Sequence, residues 1–325
     1  MTRPPRTLVL PPRLTASART LRAAALRRGL RTVEATASAV PEGLGGPGWA
    51  ALPGLPVLPW PTASTAGTGS TGRAASTGGT EGTPSAEGTD STGGTPYAGG
   101  TDSTPSGGGT HRAEGEGHAV HLHAGPSFAD VVAPALGIAL LEAPADWLAR
   151  LPRALTRREI RAMPIDEAYR LRRPAFVKSP NDKSVSALVY ADGSRLPGPD
   201  AVDPATVVLV SDVMTFAVEY RLHVLDGAVH AAGQYAESGR LRLGSADGDA
   251  LTFGREVLTA AGETLPSAIV VDVGRDDEGR WAVIEANAAW ASGCYSADAD
   301  RALDTVLRSA GPVTELSPHD RGFVR

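Results

Sequence analysis

Residues 269–293 read IVVDVGRDDEGRWAVIEANAAWASG and contain two short alternating runs. Ile269, Val271 and Val273 are separated by Val270 and Asp272, while Ala282, Ile284 and Ala286 are separated by Val283, Glu285 and Asn287. Period-two alternation predicts two strands, each with one apolar and one mixed face, and places Asp272, Glu285 and Asn287 on the mixed faces. If Glu278 and Gly279 form a two-residue hairpin turn, with Gly279 taking the positive φ, Asp277 pairs with Arg280 and Asp272 lies opposite Glu285. Asn287 then follows two residues on, on the same face. Three oxygen donors on one face suit Mg²⁺, which takes one or two carboxylates and completes its octahedron with water and phosphate oxygens. The same pattern also describes a solvated hairpin whose acids keep an edge soluble.

Upstream, residues 7–11 form an apolar run. Residues 15–28 carry Leu21, Ala25 and Leu26 at helical spacing, Gly29 is a helix stop, and 30–35 is a second strand. After a proline-rich passage at 41–61 with Trp49 and Trp60 come about 55 residues of Thr, Gly and Ser at 62–117, with imperfect repeats of the type STGGT and GTDST. Almost no large apolar side chain is present there to offset the entropy of ordering, so a disordered insertion is expected, and deleting Ser64 to Gly115 is expected to leave folding and nucleotide binding unchanged. HAVHLHAG, at 118–125, predicts a half-buried strand. Its three histidines also raise a metal reading, but no cysteine or acid stands at metal-site spacing. A helix at 128–136, despite Pro134, and a buried strand at 138–142 complete a small α/β domain.

Arginine-rich connecting helices are expected at 146–151 and 156–171, with Arg157, Arg158 and Arg161 either reaching phosphate or simply solvated. Strands at 175–178 and 185–190 flank the polar tip SPNDKS, where Lys178, Lys183, Ser179 and Ser184 offer charges and hydroxyls to phosphates. A buried strand at 207–210 leads through Ser211, Asp212 and Val213 to Glu219 and Arg221, which face one side as an ion pair or as ribose and phosphate ligands. Asp226-Gly227 is a hairpin turn, and 249–261 reads as a helix.

Composition changes this picture little. A chain of 325 residues holds more than one domain, and 42% hydrophobic residues is a globular fraction. A net charge of -5 and a pI near 5.8 leave no basic field for nucleic acid or an anionic membrane. The lone Cys294 excludes an internal disulfide framework, and no apolar run reaches membrane-spanning length. The arginine-rich start reads as strand and helix rather than as a transit peptide, so a soluble cytoplasmic protein is expected.

The order FVKSPNDKS, VLVSDVMTFAVEYRLHVLDG, VVDVG and VIEANAAWASGCY resembles the ATP-grasp superfamily, closest to the bacterial and phage clade named for one arginine and two lysines. The resemblance implies an α/β fold in which two α+β subdomains clamp ATP, preceded by a small α/β domain. The boundaries would be 1–150 for that first domain, 173–210 for a lid and 211–310 for a metal-binding part within 151–310, and 311–325 for a flexible tail. It further implies that Lys178 and Lys183 meet the phosphates, that Ser211, Asp212 and Val213 form the hinge at adenine, and that Glu219 holds the ribose. Asp272, Glu285 and Asn287 would hold Mg²⁺ or Mn²⁺, Arg221 would assist transfer, and Ser292 and Gly293 would form the loop over an acyl phosphate. Trp290 lines the acceptor side or belongs to the core. Two departures stand out: the tip carries Asn181, Asp182 and Lys183 where many relatives have glycines, and Val270 replaces a frequent arginine. The implied activity is MgATP-dependent activation of a carboxylate on a small molecule or peptide, followed by attack of an amine, thiol or other nucleophile. The alternative is a nucleotide-binding regulatory or scaffold protein that has lost turnover.

Overall fold

The strand, helix and strand expected at the start are β1 (Arg6–Leu10), α1 (Ala16–Arg27) and β2 (Arg31–Glu34), with β1 and β2 parallel. The computed structural model describes residues 6–35 and 119–325; the proline-rich passage and the Thr/Gly/Ser insertion lie outside them. Thr15 caps α1 by accepting a hydrogen bond from Ala18 N at 3.1 Å, and Gly29, at φ 75°, lets the chain turn away from its end. β3 (Ala119–Leu122) joins the other side of β1, also parallel. β3 is buried along its whole length, not half-buried. The reason is that one apolar cluster around Val120 and Leu122 and another around Leu8, Leu10 and Leu21 cover the small sheet from both sides. α2 (Pro126–Leu136) tolerates Pro134 and ends at Gly137 in the left-handed region before β4 (Ile138–Leu140).

Two single turns, α3 (Trp147–Arg150) and α4 (Arg153–Thr156), lead into the second sheet. Residues 156–171, expected to be helical, instead contain β5 (Ile160–Pro164) followed by one turn, α5 (Ile165–Ala168). β5 pairs with β8, and that pairing satisfies backbone groups of a segment whose arginines suggested a solvated helix. β6 (Ala175–Lys178), β7 (Leu188–Tyr190) and β8 (Val207–Ser211) complete an antiparallel sheet of order β5-β8-β6-β7.

The third sheet has the order β11-β10-β9-β12-β13, built from β9 (Phe216–Leu225), β10 (Ala228–Glu237), β11 (Arg240–Ser245), β12 (Ala268–Asp276) and β13 (Trp281–Asn287). Asp226 and Gly227 both take positive φ, as the expected turn requires; Ser238 and Gly239 do the same before β11, an element the sequence pattern did not reveal. α6 (Gly248–Ala261) lays Phe253 and Val257 on Val218, Tyr220, Leu222 and Val224 of β9. Glu219 and Arg221 therefore face the opposite side of the sheet.

α7 (Ala299–Ser309) packs against α1, and β14 (Ala310–Pro312) pairs with β4. The flexible tail expected at 311–325 is instead held in place. Arg325 donates to Asp130 Oδ1 at 2.7 Å and Glu142 Oε2 at 2.8 Å, and Asp320 accepts from Ser267 N at 2.8 Å. Its partners are far away in sequence, so a local reading gave no sign of them. Among the described residues no helix is long and apolar enough to cross a membrane.

Candidate active site

Asp272 lies opposite Glu285, as the alternation predicted, but by a different route. The turn has three residues, not two, because Asp276 pairs with Arg280 and Asp277, Glu278 and Gly279 connect them, Gly279 at φ 78°. That shifts the register by one, and a β-bulge at Ile284 shifts it back before Glu285. The two irregularities cancel. Arg158 holds the bulge: its buried guanidinium donates to Val283 O at 2.9 Å and Ile284 O at 3.1 Å, carbonyls on the free edge of β13, and to Thr156 O at 2.9 Å. Burial lowers the Arg158 pKa to about 10, against the opposing charge of Glu285.

Arg221 and Asp272 form a buried bidentate pair, Nε to Oδ1 at 2.9 Å and Nη2 to Oδ2 at 2.7 Å. Burial alone would lower the Arg221 pKa, but the charge and hydrogen bonds of Asp272 outweigh it and hold the guanidinium above the usual arginine range. Burial pushes the Asp272 carboxyl up against that same pull. Lys178, from the second sheet, is ion-paired with Glu285 of the third. Burial works to raise Glu285, yet the Lys178 charge and the hydrogen bonds from Lys178 and Asn287 hold it below the usual carboxylate range. Asn287 closes the cluster, its amide 2.6 Å from Glu285 Oε1 and 3.2 Å from Asp272 Oδ2.

Two tyrosines flank the arginine. Tyr235 and Tyr295 stack with centroids 5.2 Å apart, and the guanidinium lies 5.5 and 4.9 Å from their rings. Tyr295 is a non-glycine residue at φ 46°, a strained conformation that brings its ring beside Arg221. Tyr235 donates to Glu219 Oε2 at 2.6 Å, and burial raises the Glu219 carboxyl above its ordinary value. Arg221 also reaches Gly293 O at 3.3 Å; a Cβ at Gly293 would come 2.7 Å from Ser17 Oγ, so the loop after β13 lies directly on the start of α1.

Residues 155–305 match the family model for an ATP-grasp domain, family 2 of the clade named for one arginine and two lysines. This segment is an ATP-grasp domain. Solved structures similar to the chain include a RimK domain protein ATP-grasp from Sphaerobacter thermophilus DSM 20745, at 13% identity and TM-score 0.43, covering 93% of this chain and 99% of that one. The ATP-grasp ligase PsnB complexed with precursor peptide PsnA2 and AMPPNP matches at 13% identity and TM-score 0.43 over 95% and 99% of the two chains. D-cycloserine synthetase DcsG matches at 11% identity and TM-score 0.45 over 92% and 97%. No curated protein matches the chain.

Within this ATP-grasp domain the structure brings Lys178, Glu219, Arg221, Asp272, Glu285 and Asn287 together and leaves other expected residues apart. Lys183 is exposed on the tip between β6 and β7, which Asn181 ties to Ala143 O at 2.9 Å. Ser211 is buried at the end of β8; Asp212 is exposed and accepts from Glu159 N at 3.2 Å, and Val213 is 51% exposed. Ser292 turns its hydroxyl back to Ala288 O at 2.8 Å. Trp290 is a core residue, fully buried with its indole N–H on Leu141 O at 2.9 Å, and does not line an open acceptor side. Arg158, expected either to reach phosphate or to be solvated, instead holds the carbonyls of Val283 and Ile284, and Tyr235 and Tyr295 were missed as site-forming residues, since nothing in their local sequence separates them from surface tyrosines.

No group of three His, Cys, Asp or Glu side chains that could hold a metal lies among the described residues. Two carboxylates and an amide do converge, and the amide of Asn287, whose oxygen and nitrogen ends exchange by a half-turn, can present oxygen instead. That hard-oxygen donor set fits Mg²⁺ or Mn²⁺.

Proposed function

We propose that this chain is an ATP-dependent carboxylate ligase, which activates a carboxylate as an acyl phosphate and passes the acyl group to an amine or other nucleophile. The observation that carries the reading is the cluster in which Lys178 and Arg221 each pair with one of two converging acids, Glu285 and Asp272, beside Asn287. Lys178 and Arg221 put fixed positive charge where negative charge on a transferring phosphoryl group spreads, in a site largely withdrawn from water. Asp272, Glu285 and Asn287 would hold Mg²⁺, which when bound neutralises phosphate oxygens. Glu219, oriented by Tyr235, would accept from a ribose hydroxyl, with Ser211, Asp212 and Val213 at the adenine edge and Lys183 over the phosphates. Gly293, fixed between Arg221 and Ser17, and Ser292 would form the wall on the acyl side, so residues 1–150 contribute to the acceptor pocket. A small molecule or a peptide is the substrate class.

Titration calorimetry with MgATP should show micromolar to millimolar binding, lost in Asp272→Ala combined with Glu285→Ala. A wild-type protein that binds no nucleotide would overturn the reading. ADP release with cell-extract metabolites then separates a ligase from a protein that only binds nucleotide: release that depends on added metabolite supports turnover, and binding without it supports the regulatory alternative.

A further inference from the structure

Among the described residues β11 is the edge strand of the third sheet, with β10 as its only neighbour there. Alternate N–H and C=O groups of such a strand point away from the sheet, with no strand among the described residues to receive them. Its sequence, Arg240-Leu241-Arg242-Leu243, divides sharply between the faces. The register runs Ser245 to Gly233 to Arg221 to Asp272, and Leu241 to Ala236 to Glu219. Leu241, Leu243 and Ser245 therefore share the face that carries Glu219, Arg221 and Asp272, while Arg240 and Arg242 lie on the α6 face. Leu241 is 67% and Leu243 55% exposed, an apolar step continuing outward from Tyr235 and the 38% exposed Tyr295. On the opposite face Arg242 pairs with Glu237 at 2.9 Å, so two arginines meet one acid on that edge of a chain whose net charge is -5.

We propose that β11 is a docking edge for an extended peptide whose side chains alternate apolar and acidic, and which carries the reacting group to the site. The inference rests on the ligase reading above. Main-chain hydrogen bonds would add the peptide as a sixth strand, its apolar side chains on Leu241 and Leu243 and its acids on Arg240 and Arg242. A second copy of this chain is a poorer occupant. In one antiparallel register Arg242 opposes Arg242, and shifting it by one residue sets leucines against arginines. A strand added outside β11 lies four strand spacings from β12, about 19 Å at roughly 4.8 Å each. The reacting residue then stands about six extended residues from the docked stretch, at roughly 3.3 Å per residue.

The probe is a fluorescein-labelled peptide alternating Leu and Glu, read by anisotropy on the full chain without nucleotide. Saturable binding is expected. It should weaken at least tenfold when Glu is replaced by Lys, when alternate backbone nitrogens of the peptide are methylated, and in Leu241→Glu combined with Leu243→Glu. Arg240→Glu combined with Arg242→Glu should prefer the Lys peptide. All variants should bind MgATP as the wild type does, which also shows that they fold. Absence of saturable binding, equal binding of the methylated peptide, or a dimer in sedimentation that the leucine variant breaks would each overturn the proposal. Docking lost with MgATP binding intact removes this inference alone, whereas docking without nucleotide binding removes the ligase reading and keeps the edge.

Discussion

Arg158→Met tests whether a buried arginine outside the acid cluster sets its geometry. Methionine keeps most of the side-chain stem and removes every donor, so the carbonyls of Thr156, Val283 and Ile284 lose the partners they have at 2.9, 2.9 and 3.1 Å. Thr156 and Val283 are buried while Ile284 is half-buried, so water can replace the third bond but not the first two. Two orphaned carbonyls at about 1–3 kcal/mol each cost roughly 2–6 kcal/mol. Against this stands relief from burying the guanidinium: a fall from 12.5 to about 10 corresponds to a desolvation cost on the order of 3 kcal/mol at about 1.4 kcal/mol per pKa unit. The difference runs from about -1 to 3 kcal/mol, so a loss of no more than about 3 kcal/mol in denaturant unfolding is expected. The larger effect is local, because the bulge at Ile284 brings Glu285 opposite Asp272 and Arg158 holds the carbonyls on both sides of it. MgATP binding, measured by calorimetry at a temperature where both proteins are folded, should weaken tenfold or more. Arg157→Ala, which removes one exposed bond of 3.3 Å to Trp281 O, should change stability by no more than about 0.5 kcal/mol and leave binding alone. If Arg158→Met is destabilised yet binds MgATP like the wild type, Arg158 supports the fold and does not position Glu285.

Arg221→Met leaves Asp272, whose side chain is 1% exposed, without its cation, and should cost about 3–5 kcal/mol in urea unfolding; a loss below about 1 kcal/mol would show that Asp272 simply takes up a proton. Lys183→Ala should leave the melting temperature of the empty protein unchanged, since the side chain is exposed and makes no bond among the described residues, but slow ADP formation about tenfold; the reverse pattern would make Lys183 structural. His123 is buried, with its folded pKa lowered to about 4 from 6.5 by burial, against a hydrogen bond to Trp290. The neutral ring is favoured in the fold, so its contribution is complete above pH 6.5 and is lost as pH falls from 6.5 to about 4, on the order of 3 kcal/mol. Urea midpoints at pH 7.5 and 4.5 should therefore differ less in His123→Leu than in the wild type, and an equal difference would assign the acid sensitivity to other groups.

The local pattern of the chain was enough to place the paired strands of the acid hairpin, the Lys178 strand, the Asp226-Gly227 turn and the opening parallel unit, because each rests on short-range rules of alternation, capping and positive φ. It also put Asp272 opposite Glu285, although through a two-residue turn that does not exist; the three-residue turn and the bulge at Ile284 happen to cancel. Sequence alone did not determine β5 or the anchored tail, whose stability comes from partners such as β8, Asp130 and Glu142 contributed by distant segments. Nor did it reveal the second role of the charges. Arg158 looks like any surface arginine until β13 leaves its edge carbonyls free, and Tyr295 acquires its place beside Arg221 only from a backbone held at φ 46°. Which residues carry hydrogen-bonding and ionic chemistry was written in the chain, whereas which of them are buried, paired and aimed at one another depended on packing between segments far apart in sequence.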